Sequence, residues 1–235
     1  MPVLLESNAP HICRENFDNE AVAFLKKYYP EALAEPMAVP ILRVARQRLK
    51  LRVVERRLSE DFSILGQMCF TNGVEDIYDK ENDEYRPYKV RFGTMIIDPD
   101  TIDKRNEGCK NNTIAHECFH WHKHRDYHIA VSVVAPKKSL KIISDIREYD
   151  ESDKTNWTDN DWMEWQARGI APRILMPPKQ FDTMVNHFIE EFEYADIPSY
   201  FRLGYFVINK LAEFFEVSKQ SASIRLEERG YCLRE

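Results

Sequence analysis

The sequence lacks the long apolar runs, the secretory leader and the cysteine framework that mark several large classes of protein. No apolar run approaches the ~20 residues of a membrane span, and residues 1–6 do not combine a basic region with an apolar core. The five cysteines are an odd number and widely scattered. They fit a reducing compartment better than a set of disulfides. We therefore expect a cytoplasmic protein with no membrane segment.

The chain also lacks an excess of positive charge. Its net charge is −6 and its pI is about 5.7, which argues against direct binding to nucleic acid or to anionic membranes. Hydrophobic residues make up 43% of the 235 residues and charged residues 31%. This balance is ordinary for a globular protein, and the length suffices for one large domain or two small ones.

The most informative stretch is an H-E-x-x-H motif at residues 116–120. Residues 111–113 are of types that begin helices, and residues four apart lie on one helix face. His116 and His120 would therefore direct two imidazoles at one point, which suits a tetrahedral zinc ion. Glu117 would lie beside the metal, where it could take a proton from zinc-bound water.

A solvated, His-rich helix face is the alternative interpretation of this stretch. His122, His124 and His128 follow the motif, and the four-residue spacing repeats among them. Only His116 is followed by Glu, so only one pair of histidines in this stretch, His116 and His120, fits the catalytic motif.

A catalytic zinc site of this kind needs a third protein ligand and an open position for water. The candidate is Glu164. A helix beginning near Thr158 and Asp161 would place it on the same face as Ala167 and Ala171, whose small side chains permit close approach of two helices. A carboxylate on that face is either a ligand or a buried group that needs a partner. An ordinary exposed Glu remains the alternative.

Strand patterns occur at residues 51–55, 62–70 and 88–98, before the motif helix. Because residues 88–98 lead towards that helix, we expect this strand to flank the active cleft. It could then pair with an extended substrate by strand addition. The acidic segment 148–161 predicts an exposed connection.

Two further helical patterns, at residues 200–215 and 218–228, suggest a helix-turn-helix. Acidic residues in the second helix and the absence of Gly in the turn argue against DNA binding. We expect instead a helical subdomain that packs on the rest of the protein. Its predicted buried residues are Leu211, Phe214, Phe215, Val217, Ile224 and Leu226.

Taken in order, three segments resemble the ImmA/IrrE family of bacterial metallopeptidases. Residues 113–120 are similar to the family's A-H-E-x-x-H helix, and residues 164–177 to its later helix of the pattern E-x-x-A followed by M-P. Residues 217–226 are similar to its V-S-x-x-A and R-L motif. The resemblance extends over roughly residues 20–230.

The resemblance implies an α+β, zincin-like fold that is mostly helical, with a small N-terminal β-sheet flanking the motif helix. It implies a metallopeptidase domain over residues 1–195 and a C-terminal helical, helix-turn-helix-like subdomain over residues 196–235.

The same resemblance implies a function. His116, His120 and Glu164 would be the ligands of a Zn²⁺ ion, and Glu117 would be the general base. The substrate would be a protein in the bacterial cytoplasm, with a helix-turn-helix transcriptional repressor as the expected partner.

Three other functions remain open at the level of sequence. A non-catalytic zinc protein could bind a transcription factor, a repressor could bind DNA through residues 204–230, and a hydrolase could use the same zinc chemistry on a non-peptide substrate. The residue that stabilises the oxyanion is also open. The candidates are His122, His124, Tyr127, His128 and Arg173.

Overall fold

The computed structural model describes residues 9–134, 141–145, 154–194 and 203–232, and shows an α+β, zincin-like fold that is mostly helical. The α-helices are α1 Phe17–Tyr28, α2 Glu31–Ala34, α3 Ile41–Arg43, α4 Thr101–Lys104, α5 Glu107–Phe119, α6 Arg125–Val134, α7 Asp159–Leu175, α8 Pro178–Tyr194, α9 Leu203–Phe214 and α10 Lys219–Glu228. A 3₁₀ turn at Arg14–Asn16 precedes α1, and π-helical turns occur at Val44–Arg48 and His120–His124.

The strands form a four-stranded sheet and a separate hairpin. The strands are β1 Arg52–Glu55, β2 Ile64–Cys69, β3 Gly73–Asp79, β4 Glu84–Val90, β5 Thr94–Ile97 and β6 Lys141–Asp145. The larger sheet has the order β1-β5-β2-β6, in which only the β1–β5 pair is parallel, and β3 pairs with β4. The predicted small N-terminal sheet is therefore confirmed, with β6 added at one edge.

The main hydrophobic core lies between the four-stranded sheet and the helices. Met68 and Met95 of the sheet share this core with Ile114 and Cys118 of α5 and with Ala171 of α7. Because Leu, Ile, Val, Phe and Met side chains each gain about 1.5–3 kcal/mol on full burial, this core fixes α5 between the sheet and α7. The motif helix is thus held on both sides.

The single strand predicted at residues 88–98 is wrong. The chain forms β4, turns at residues 91–93 and then forms β5 in the other sheet. Gly93 has φ +78°, a conformation that glycine adopts without strain. Since β5 is paired on both sides, by β1 and by β2, it has no edge left for a substrate. The expected strand addition at residues 92–96 is therefore ruled out by the sheet order.

The last helix, α10, is held to α1 by an ion pair whose arginine is buried. Arg225 of α10 is only 2% exposed and donates to Asp18 of α1 over 2.6 Å. A residue held in this way cannot reach DNA, which weakens the repressor alternative. Ile224 was expected to be buried but is 49% exposed, because it lies on the outer side of α10. The division into domains 1–195 and 196–235 stays a prediction.

Part of the predicted acidic connection, residues 148–153, lies outside the described residues. Within the described part of the chain, no helix is both long and apolar enough to cross a membrane.

Candidate metal centre

The helix that carries the motif begins earlier than the sequence predicted. Its N-cap is Asn106, whose side chain accepts from the backbone N–H of Cys109, rather than one of residues 111–113. Gly108 lies in the first turn because a Cβ there would come within 2.2 Å of the backbone carbon of Val217. The close approach of the C-terminal segment therefore requires glycine at position 108.

Three side chains from two helices converge at the centre of the fold. His116 and His120 lie one turn apart on the helical run from α5, with their Nε2 atoms 2.8 Å apart. Glu164 of α7 places Oε2 3.2 Å from His116 Nε2 and Oε1 3.1 Å from His120 Nε2. All three side chains are buried. The structure thus brings together the three residues that the sequence proposed as ligands.

The local sequence explains why Glu164 reaches this point. Thr158 and Asp161 form the capping box that begins α7, as predicted. One turn and two turns beyond Glu164, Ala167 and Ala171 are fully buried where α7 meets α5. Because alanine carries only a methyl group, the two helices approach closely enough for a carboxylate of α7 to touch imidazoles of α5.

The electrostatics of the cluster favour a cation. Burial lowers the pKa of His120 to about 4, so its imidazole is neutral and keeps a lone pair. Burial raises the pKa of Glu164, but the imidazoles of His116 and His120 outweigh this and hold it well below its usual range. The cluster therefore combines nitrogen lone pairs with a carboxylate anion in a site of low dielectric constant.

A metal ion fits this arrangement. The ligand atoms of His116, His120 and Glu164 lie within 4.8 Å of one another. Both oxygens of Glu164 are buried without a hydrogen-bond partner, although two ring nitrogens lie beside them. Since a buried charge is costly unless it is paired or bound to a metal, a divalent cation would satisfy all of these atoms together. Two imidazoles and one carboxylate are a donor set typical of catalytic zinc.

Glu117 lies beside the cluster and has no partner of its own. Its side chain is fully buried, and neither carboxylate oxygen makes a hydrogen bond. Burial, followed by the charge of Glu164, raises the pKa of Glu117 well above its usual value. A carboxylate with a raised pKa is a better proton acceptor, which is the property that a general base requires.

Gly66 of β2 lies next to Glu117, and the sequence predicted no role for it. A Cβ on Gly66 of β2 would lie 2.8 Å from Glu117 Oε1 and 2.7 Å from Thr113 Cγ2. The register of β2 also shifts between Ile64 and Gly66. Gly66 therefore leaves just enough room for the carboxylate of Glu117. The available signal was a Gly inside a predicted strand, which often marks a close approach of the backbone.

We expect Gly66→Ala to reduce peptidase activity by ~10–100-fold, because a shift of about 1 Å in a catalytic group has effects of this size. Metal content should stay at the wild-type level, since neither contact of the new Cβ is to a proposed ligand. The measurement is kcat on a cleaved peptide together with metal analysis of the same sample.

A second substitution provides the control for Gly66→Ala. Thr113→Ser removes the methyl group that lies 2.7 Å from the new Cβ, so the double variant should recover part of the lost kcat. An unchanged kcat in Gly66→Ala would show that Glu117 is not held by this contact.

The structure separates the five candidates for stabilising the oxyanion. His122 contacts Tyr28, Tyr127 donates to Asp159, and Arg173 pairs with Glu228, so these three are directed to other partners. His124 lies between His120 and Gln166.

The remaining candidate is His128. It stacks on Phe70 with ring centroids 4.2 Å apart, and its buried Nε2 lacks a partner among the described residues. Of the five candidates, it is the one with an uncommitted polar atom.

Comparison with known families adds one finding. The family model Peptidase_M78, described as the IrrE N-terminal-like domain, matches residues 77–227. This span contains His116, Glu117, His120 and Glu164, whereas Gly66 lies outside it. No curated protein matches the chain significantly.

Proposed function

Because the chain belongs to the Peptidase_M78 family, the IrrE N-terminal-like domain, we propose that this metallopeptidase is a zinc-dependent endopeptidase that cleaves an intracellular protein. The observation that carries the proposal is the convergence of His116, His120 and Glu164 next to an unpartnered, buried Glu117. A structural metal site would have four protein ligands. The described residues supply a set of three with a carboxylate beside it, which is the composition of a hydrolytic centre.

In this proposal His116, His120 and Glu164 hold the zinc ion. When bound in such a site, zinc lowers the pKa of a water ligand to about 7 and polarises the carbonyl group of the substrate. The nitrogen and oxygen donors favour zinc over magnesium or calcium, which prefer oxygen ligands alone.

Glu117 performs the proton transfers. It accepts the proton of the attacking water on one carboxylate oxygen, and later donates that proton to the nitrogen of the leaving amine. Its burial supports both steps, because the raised pKa allows the carboxyl group to hold the proton between them. The absence of a side chain at Gly66 leaves the space that this carboxylate occupies.

His128 is the residue that we propose for stabilising the oxyanion. Its unpartnered Nε2 can carry the N–H that a developing negative charge needs. Stacking on Phe70 fixes the plane of the ring, so the donor does not have to reorganise during the reaction.

The substrate would add to β6 rather than to the strand expected from sequence. Among the described strands, β1 and β6 are the two edges of the larger sheet, and β6 pairs with β2 and packs against both α5 and α7. An extended peptide can hydrogen-bond to such an edge.

Methylating single backbone amides of a cleaved peptide tests this position of the substrate. Because alternate amides of an added strand face the sheet, methylation should raise KM at every second position. Equal KM values along the peptide would exclude strand addition.

We further propose that the substrate is a helix-turn-helix repressor, as the sequence resemblance suggests. The experiment compares new protein N-termini in bacterial cells that express the wild type or Glu117→Gln. A repressor fragment found only with the wild type, and reproduced with purified proteins and zinc, would support the proposal. Cleavage of unrelated proteins alone would exclude the repressor, and no cleavage in either strain would favour the non-catalytic regulator.

A further inference from the structure

A chain of hydrogen bonds leads away from the metal centre on the side opposite to the ligand atoms. His120 Nδ1 lies 2.8 Å from His124 Nδ1, and His124 Nε2 lies 3.0 Å from Gln166 Oε1. Gln166 Nε2 then donates to the backbone carbonyl of Pro10 over 2.6 Å. The three side chains are 0%, 0% and 1% exposed, so bulk water does not compete for these contacts.

The direction of each hydrogen bond follows from the last group in the chain. The carbonyl of Pro10 can only accept, so it must face the NH₂ group of the Gln166 amide. The amide oxygen is then left to accept from the Nε2–H of His124. With that hydrogen on Nε2, Nδ1 of His124 is the atom that can accept from His120. This order of donors and acceptors therefore matches a hydrogen on Nδ1 of His120.

This order determines which nitrogen of His120 is free to bind a metal. A neutral imidazole carries one N–H and one lone pair. With the hydrogen on Nδ1, the lone pair is on Nε2, the atom that faces His116 and Glu164. The opposite tautomer would place an N–H in the metal position and oppose binding. Through three hydrogen bonds, the backbone carbonyl of Pro10 thus favours the tautomer of His120 whose hydrogen is on Nδ1.

We propose that His124 and Gln166 are positioning residues that hold His120 in the tautomer and ring orientation required for metal binding. The proposal rests on the metal site described under the proposed function. Outer partners of this kind fix the tautomer of metal-binding histidines in many proteins, usually through a carboxylate or a backbone carbonyl. Here the same task is divided between an imidazole and an amide before it reaches a carbonyl.

The fold connects this relay to the ligands themselves. Gln166 lies two residues after Glu164 on α7, so one helix supplies both the third proposed ligand and the acceptor that orders the relay. His120 and His124 are the first and last residues of a π-helical turn that follows α5, and such turns are frequent at functional sites. Any shift of α7 would therefore change the carboxylate and the tautomer of His120 together.

The first test compares zinc affinities measured by competition with a chelator. His124→Leu removes the acceptor for His120 Nδ1, and should weaken zinc binding by ~10–100-fold, the range known for outer partners. His124→Asn keeps an oxygen near the position of Nδ1, and should stay within about threefold of the wild type. A general loss of packing would affect both variants.

The matched control is His122→Leu, the same change two residues earlier. His122 contacts Tyr28 and not the proposed ligands, so its replacement should leave zinc affinity unchanged. If His124→Leu binds zinc as tightly as the wild type, the relay has no positioning role. If His122→Leu weakens binding as much as His124→Leu, the effect is one of packing and the proposal is also wrong.

The second test does not depend on metal. Nitrogen-15 NMR of zinc-free Glu164→Ala, in which no carboxylate faces Nε2 of His120, should show His120 protonated at Nδ1 and unprotonated at Nε2. Adding Gln166→Leu, which leaves His124 without its acceptor, should give a mixture of the two tautomers. His120 protonated at Nε2 in Glu164→Ala overturns the relay alone, whereas the expected tautomer in that variant, together with a wild type that binds no zinc, overturns the proposed metal site.

Discussion

Replacing Glu117 with Gln is expected to abolish peptide cleavage and to leave metal binding intact. Gln has nearly the same shape and fills the space beneath Gly66, but its amide cannot take a proton from water. General acid–base groups contribute ~10²–10⁴-fold to rates, so kcat should fall by at least that range. The metal should remain, because the three converging groups are His116, His120 and Glu164.

The measurement is kcat with a cleaved protein or peptide, together with zinc content of the same preparation. Glu107→Gln is a matched control, since Glu107 lies in the first turn of the same helix and is exposed. That variant should keep wild-type activity. Full activity in Glu117→Gln would remove the proposed mechanism, and an unchanged biological effect without cleavage would favour the non-catalytic regulator.

Replacing Glu164 with Ala is expected to strip the metal from the purified protein. The substitution removes the carboxylate that lies 3.2 and 3.1 Å from the two imidazoles and leaves only nitrogen donors. Loss of a ligand should weaken zinc binding by more than the ~10–100-fold typical of an outer partner. Activity should fall with metal content, and the helices should remain folded because Ala favours helix.

Elemental analysis of protein purified without chelator measures this effect. We expect about one zinc ion per wild-type chain, as a single three-ligand site requires, and a marked loss in Glu164→Ala. A matched control is Glu75→Ala, which removes another buried Glu that pairs with Lys141 outside the cluster. It should keep its zinc. If Glu164→Ala keeps zinc as well, the carboxylate is not a ligand and the site must be completed by another group.

Much of the candidate site could be predicted because its information is local. The spacing of His116 and His120 fixes their common direction on any helix, and a capping box marks the start of the helix that carries Glu164. Both helices are confirmed, and their three side chains meet. That these residues bind zinc, and that Glu117 acts as the base, stays a prediction until the experiments above are done.

The errors arose where distant parts of the chain decide the local structure. Residues 88–98 have the composition of one strand, but a turn at Gly93 assigns their two halves to different sheets. Likewise, α5 begins at Glu107, earlier than predicted, and the backbone near Val217 lies against Gly108 in its first turn. Neither contact leaves a periodic signal in the sequence, since each depends on packing between segments far apart.

The sequence by itself therefore determined which residues are candidates for the chemistry of this protein, and the tertiary structure decided how those residues are held together. Helical spacing and residue type were enough to select two imidazoles, a carboxylate and a base. Only packing could place Gly66 over Glu117, leave β6 at one edge of the described sheet and join His120 to Pro10 through His124 and Gln166. The physical reason is that helix geometry is repeated every turn, whereas contacts between distant segments depend on how the whole core is filled.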